Sequence, residues 1–288
     1  MNMYEKIIVI GYGKIAGEVI KHVHGCRKEY GYAVEYIEHE TGSFGSIIRI
    51  CDELGIPSRH IGDKRELTDY FRNNAVRCLI ISAGSNYLFP EEVTKSLYYT
   101  IINFHNALLP KLPGRNAASW AIFENEQETG ITWHYVTKQV DAGDIIIQKK
   151  CRITADVRAY ELTEKLMQLA FEAFKEKFAE IIEDRAAARK QLLTGKRKIY
   201  KSSDIPGMCR FGMEDSPEYI YRLLRAVDFG KADIFPKVTT TYQGKKIRIL
   251  RYSKVPAKKA EEKPGRLYLP LDGEFSLRLS WAEAGDNS

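Results

Sequence analysis

The apolar positions of the first hundred residues come in short blocks separated by polar, helix-compatible stretches. Residues 6–10 (KIIVI) form a near-continuous apolar run closed by Gly11, the pattern of a buried strand. A helix follows over 14–23, a strand over 32–37 and a helix over 45–54. A short strand over 58–61 leads into a helix over 64–72. Residues 77–82 (RCLIIS) make a strongly apolar strand. Residues 90–96 form a helix opened by proline, and 100–104 (TIINF) a fifth strand. Such alternation predicts an α/β fold with a doubly wound parallel sheet and helices on both faces. In such sheets the ligand crevice lies beyond the carboxyl ends of the strands.

The later pattern differs. A short helix is predicted over 117–123. Strands over 130–136 and 145–149 are joined by a turn carrying Asp141, Gly143 and Asp144. A long helix spans 157–189, with Leu162, Leu166, Leu169, Ala173, Phe174 and Phe178 at helical spacing. Ser-Pro-Glu opens a helix over 216–226. Strand-like pieces at 237–242, 246–252, 266–269 and 276–279 predict a small β module. Three spans result: a domain over 1–190, a basic linker over 191–213 and a β-rich module over 214–288.

Composition narrows the class. The 288 residues are 44% hydrophobic and 28% charged, enough for a sizeable core. No run approaches the ~18 apolar residues of a membrane span. The apolar stretch near the N-terminus is too short for a signal peptide. Cys26, Cys51, Cys78, Cys151 and Cys209 are dispersed, odd in number and without a CxxC. That argues for a reducing compartment, against a disulfide framework and against structural zinc. The expectation is a cytoplasmic protein with no metal and no membrane partner. The net charge of +6 is mild, but seven Lys/Arg fall within 185–201.

Three groups of residues carry candidate chemistry. Gly11-Tyr-Gly13-Lys-Ile-Ala16 follows a strand and opens a helix, a turn able to present backbone amides to a phosphate. Glu35, Glu38 and Glu40 near the end of the second strand fit a dinucleotide site, so an NAD-dependent oxidoreductase is one reading. Asn103 and His105 alternate along the fifth strand, at the crevice, and point the same way. An amide beside an imidazole suits acyl transfer: the amide polarises a carbonyl and the imidazole moves a proton. The turn Val140-Asp141-Ala-Gly143-Asp144 carries two carboxylates, Asp141 and Asp144, either of which supplies an orienting group for His105. His22, His24 and Cys26 cluster on the first helix, where a structural role is expected.

Asn-x-His-x-x-Leu-Leu-Pro at 103–110, Gly114, and Val-Asp-Ala-Gly-Asp at 140–144 after ITWHYV together resemble the 10-formyltetrahydrofolate-dependent formyltransferase family over residues 5–190. The resemblance implies a Rossmann-like formyltransferase domain. It implies Asn103, His105 and Asp141 as catalytic residues, with an acceptor amine attacking the formyl carbon of 10-formyltetrahydrofolate. It places the folate along Asn86, Tyr87, Leu88 and Phe89 and along Thr137 and Val140. It needs no metal. Residues 216–280 resemble the OB-like C-terminal module of the family's tRNA and sugar enzymes, which flanks the acceptor or forms a homodimer.

The acceptor is less specified. Residues 38–45 are acidic where tRNA-formylating members carry a basic loop, which counts against tRNA. The order Lys111-Leu-Pro-Gly-Arg115-Asn116 also departs from the aromatic-Arg-Gly of the tRNA and sugar branches. Gly11, Gly13, Arg115 and Asn116 are the expected acceptor contacts, with Ser43–Gly45 as further phosphate holders. A small phosphorylated or nucleotide-linked amine, such as an amino sugar or an amino-acid-like metabolite, is the expected acceptor. Methionyl-tRNA is the alternative.

Overall fold

A computed structural model describes residues 3–39, 46–193, 197–257 and 263–284. The chain divides into two compact units. One comprises 1–117, 128–152 and 163–200; the other comprises 118–127, 153–162 and 201–288. The units are thus assembled from interleaved segments, and residues 191–213 are shared between them.

The first unit is built on a seven-stranded sheet. Its strands are β1 (Lys6–Gly11), β2 (Ala33–Glu38), β3 (Ser58–His60), β4 (Cys78–Ala83), β5 (Tyr99–His105), β6 (Glu128–Tyr135) and β7 (Ile145–Arg152). The order is β3-β2-β1-β4-β5-β6-β7. The first five are parallel, while β6 and β7 run antiparallel. Alternation along the strands splits the core. Ile8, Ile10, Ile37, Cys78 and Ile80 pack with Leu67 and Phe71 of helix α3 (Lys64–Arg72). Helix α1 (Gly13–Tyr30) packs on β1, β2 and β4. The remaining helices in chain order are α2 (Ile48–Leu54), α4 (Glu91–Thr94), α5 (Ala117–Phe123), which falls in the second unit from Ala118 on, and α6 (Ala159–Ile182), which enters the first unit at Thr163. Trp133 of β6 is fully buried against Phe174, and its indole N–H donates to Ala170 O at 2.9 Å. Burial of a side chain that size, with its polar atom satisfied, contributes about 2–3 kcal/mol.

Two helix ends differ from the sequence expectation. Helix α1 runs to Tyr30 rather than 23 and closes on Gly31, whose φ of 72° is the left-handed cap glycine favours. Helix α6 ends at Ile182 rather than 189. Asp184 adopts φ 54°, and Arg185 N donates back to Glu180 O at 2.8 Å. That six-to-one closure stops the helix without a glycine to announce it.

The second unit contains α7 (Pro217–Ala226), capped by the Ser216 hydroxyl on Tyr219 N. Four strands, β8 (Thr239–Tyr242), β9 (Lys245–Pro256), β10 (Arg266–Pro270) and β11 (Phe275–Glu283), form an antiparallel sheet in the order β10-β11-β9-β8. Ile220, Leu223 and Leu224 of α7 pack against Ile247, Ile249, Leu277 and Leu279 of the sheet. No helix among the described residues is long and apolar enough to cross a membrane.

Candidate active site

The carboxyl end of β5 carries Asn103 and His105 on one face. Register fixes their neighbours. Asn103 lies beside Ser82 of β4 and opposite His134 of β6, while His105 lies opposite Thr132. The Ser82 hydroxyl donates to Asn103 Oδ1 at 2.7 Å, which fixes the amide with its NH2 turned the other way. That nitrogen donates to His134 Nε2 at 3.2 Å, and His134 Nδ1–H donates to the Tyr135 carbonyl at 2.8 Å. One of the two amide hydrogens of Asn103 is thereby engaged.

His105 is 5% exposed. Its Nε2–H donates to Leu112 O at 2.9 Å, so the neutral ring carries its lone pair on Nδ1. That Nδ1 faces Asp141 Oδ2 at 3.5 Å. Asp141 Oδ2 accepts the Gly114 N–H at 2.7 Å, and Oδ1 lies 3.5 Å from His134 Nε2. Burial lowers the His105 pKa below its ordinary 6.5, more than Asp141 raises it. Burial alone would raise the carboxyl of Asp141, but His105, His134 and the Gly114 N–H more than offset it and hold it well below the usual range. The pair therefore rests as neutral imidazole and carboxylate, a site that accepts one proton and keeps it as an ion pair.

The turn between β6 and β7 is shaped for this. Asp141 sits at φ 47°, and Gly143 is pressed against the hairpin, where an added Cβ would lie 1.8 Å from Tyr135 O. Asp144 contributes its backbone carbonyl, which accepts the Tyr135 N–H at 2.9 Å. The structure thus brings Asp141, and not the Asp144 side chain, to His105.

The other sequence-derived candidates fall around this centre. Asn86 Oδ1 accepts the Tyr12 hydroxyl at 3.0 Å and also the Arg115 guanidinium, so the glycine turn, the 86–89 segment and the loop after β5 meet. Tyr87 and Phe89 turn inward into the α3 core, with the Tyr87 hydroxyl 2.8 Å from Thr68. Leu88 is exposed. Thr137 donates to Gln139 O, and the Val140 carbonyl accepts Arg197. Gly11 (φ 150°) abuts β4 so closely that a Cβ would lie 2.0 Å from Ala83 O; Gly13 begins α1. Asn116 takes φ 57° immediately before α5. Glu40 and Ser43–Gly45 lie outside the described residues.

Two of the three carboxylates considered for a dinucleotide, Glu35 and Glu38, are otherwise engaged. Glu35 binds Lys6, Arg59 and Tyr70. Glu38 binds His60 at 3.2 Å and lies 3.4 Å from the Tyr36 hydroxyl. His22 packs edge-on against Phe171, Phe174 and Phe178, and no metal-binding group of three or more ligands occurs among the described residues.

Ser82 and His134 were not singled out by sequence. The polar alternation Thr132, His134 within an otherwise apolar strand was the available signal for His134. Nothing local marks Ser82.

Comparison with known proteins identifies the fold and the family. A methionyl-tRNA formyltransferase of Caldanaerobacter subterraneus subsp. tengcongensis is 28% identical over 207 residues, covering 70% of this chain. The chain spans 64% of that relative's length. An N-formyltransferase from Helicobacter canadensis, solved with folinic acid and dTDP-3-aminofucose, superposes with a TM-score of 0.73 at 16% identity, covering 97% of this chain and 100% of its own. A 4-N formyltransferase from Francisella tularensis gives 0.68 at 21% identity, covering 84% and 95%. At these identities the two structures share the fold. The Formyl transferase family itself matches residues 28–177, more than half of the sequence. The chain belongs to the formyl transferase family.

Proposed function

We propose that the chain transfers the formyl group of 10-formyltetrahydrofolate to a primary amine of a small, phosphorylated or nucleotide-linked acceptor, of the amino-sugar or amino-acid-like kind. The observation that carries this reading is the Asn103–His105–Asp141 arrangement, with its amide fixed by Ser82 and its imidazole lone pair turned to a carboxylate. The amine nitrogen attacks the formyl carbon, the C–N bond to the amine forms and the C–N10 bond breaks. Asn103 Nδ2 donates to the formyl oxygen as negative charge develops there. The His105–Asp141 pair takes the proton that the amine loses and returns it to N10 as the C–N10 bond breaks, so the pair ends as it began. Asn86, Leu88, Phe89, Thr137 and Val140 line the folate side through their backbone, with Tyr87 fixing that segment from the core. Arg115 meets an anionic group of the acceptor, since a guanidinium pairs two oxygens at once. Gly11, Gly13 and Asn116 shape the surrounding turn. Residues 1–190 supply the chemistry and 214–288 act as an accessory module or homodimer contact.

A second reading, transfer to methionyl-tRNA, draws on one observation. Directly opposed residues in an antiparallel pair share a face. On the face of the small sheet opposite Leu277, Leu279 and Ile247 stand Arg266, Arg251, Arg248, Arg278 and Lys246, with Tyr268 among them. A basic surface with an aromatic suits a phosphate backbone.

Calorimetric titration with folinic acid, alone and beside charged initiator tRNA, separates these readings. Saturable folinic acid binding without tRNA binding supports the small acceptor. Salt-sensitive tRNA binding supports the second reading. No folinic acid binding ends both.

A further inference from the structure

The stretch after α6 is basic and reads as a surface linker, yet it lies against both site loops. Arg189 pairs with Ile145 in an isolated antiparallel bridge, each N–H donating at 2.8 Å to the other's carbonyl. The Gln191 amide donates to Asp141 O at 3.1 Å and Gly143 O at 2.7 Å. Arg197 Nη1 donates to Val140 O at 2.7 Å, and its Nη2 donates to Asp141 O. Tyr200 N donates to Pro113 O at 2.9 Å, and Tyr200 O accepts the Arg115 N–H at 2.8 Å. One segment thus grips the loop that carries Asp141 and the loop that presents Gly114 N–H and Leu112 O.

The grip falls where the backbone needs it. A non-glycine residue in the left-handed region costs about 1–2 kcal/mol and persists when its surroundings over-determine it. Asp141, at φ 47°, has its carbonyl held by two side chains from the same segment. Arg197 is a costly group to place there: it is half-buried, and its Nε is buried without a hydrogen-bond partner among the described residues.

We propose that Arg197 is a positioning residue for the transfer reaction: by spanning the Val140 and Asp141 carbonyls it holds the Asp141 backbone so that the carboxylate faces His105. This rests on the formyl-transfer reading above. Gln191 is its neutral assistant on the same carbonyl. Arg197 touches neither reacting group; it acts through Asp141.

The test is a double-mutant cycle on the full chain, with Arg197→Met, Asp141→Asn and both together, read as the pKa of the His105 imidazole by 15N NMR. The charged and titratable groups facing that ring are Asp141, His134 and Arg197. If Arg197 acts through Asp141, its removal shifts the His105 pKa by clearly different amounts with and without the Asp141 carboxylate. Equal shifts in the two backgrounds overturn the proposal. Arg197→Lys, which keeps a donor for one carbonyl, recovers part of the wild-type value; recovery no better than Met also overturns it. Lys190→Ala, an exposed position on the same segment, leaves the His105 signal unchanged. With an acceptor that turns over, Arg197→Met lowers kcat about 10- to 100-fold while the donor KM holds. A failure of the transfer reading shows separately, as absent folinic acid binding to the wild-type chain, and leaves the cycle readable.

Discussion

At Asn103 the amide is held from both ends, by the Ser82 hydroxyl on its oxygen and by His134 on its nitrogen. Replacing Asn103 with Ala removes the donor to the developing oxyanion, and kcat should fall about 10²–10³-fold with the melting temperature nearly unchanged. Unaltered turnover would remove Asn103 from the mechanism. Ser82→Ala frees the amide to flip and should cost less, about tenfold. For His105, the neutral ring is the working form, and burial lowers its pKa from 6.5. Protonation blocks the acceptor, so the rate should hold on the alkaline side and fall as pH drops through that lowered value. A rate already half lost above pH 6.5 contradicts this assignment. Asn103, His105 and Asp141 were legible because each sits in a short local motif. Ser82 and Arg197 were not, because they reach the site through strand register and loop closure, which leave no local pattern; His134 was marked only by its polar alternation with Thr132.

Among the elements, strand–helix alternation was readable from apolar blocks, and the fifth strand was placed close to where β5 lies. Helix ends were harder: α6 closes on left-handed Asp184, a residue that does not signal a cap as glycine does. Close approaches are where single atoms decide. A Cβ at Gly143 would lie 1.8 Å from Tyr135 O, and one at Gly114 would lie 2.1 Å from Tyr200 O. Gly143→Ala and Gly114→Ala should each destabilise the fold by roughly 2 kcal/mol or more, measured by urea unfolding. Wild-type midpoints would show that these turns yield freely. On β2, Glu35 is buried; burial opposes ionisation, but Lys6, Tyr70 and Arg59 outweigh it and lower its pKa from 4.5. A carboxyl with a depressed folded pKa stabilises above its unfolded value and loses that contribution as pH falls through the folded one. Glu35→Gln should therefore cost about 1–3 kcal/mol at pH 7. The gap from wild type should close as pH falls below 4.5; a gap that stays constant contradicts the ion-pair account.

For the whole molecule, the fold class followed from alternation, but the interleaving of the two units did not. Residues 118–127 and 153–162 join the second unit by tertiary packing, for which linear composition carries no mark. The stretch 185–201 is the clearest case: its charge density reads as solvated surface, while Gln191 and Arg197 within it donate to main-chain carbonyls of the Asp141 turn. The acceptor is decided at this scale too. If the basic sheet face met tRNA, Arg251→Glu with Arg266→Glu would weaken binding and flatten its salt dependence. Undiminished binding in that variant would dissociate the face from any nucleic acid.

The central claim is formyl transfer by the Asn103–His105–Asp141 site. Its most direct measurement is tetrahydrofolate release from 10-formyltetrahydrofolate, followed by absorbance, against amino-sugar nucleotides, aminoacyl compounds and charged initiator tRNA. The account predicts release with at least one amine, recovery of that amine in formylated form, and loss of both with His105→Ala. Release that proceeds equally without any amine would mean hydrolysis instead of transfer. Binding of NADH with no response to folate would contradict the account altogether and return the Gly11 turn to a dinucleotide.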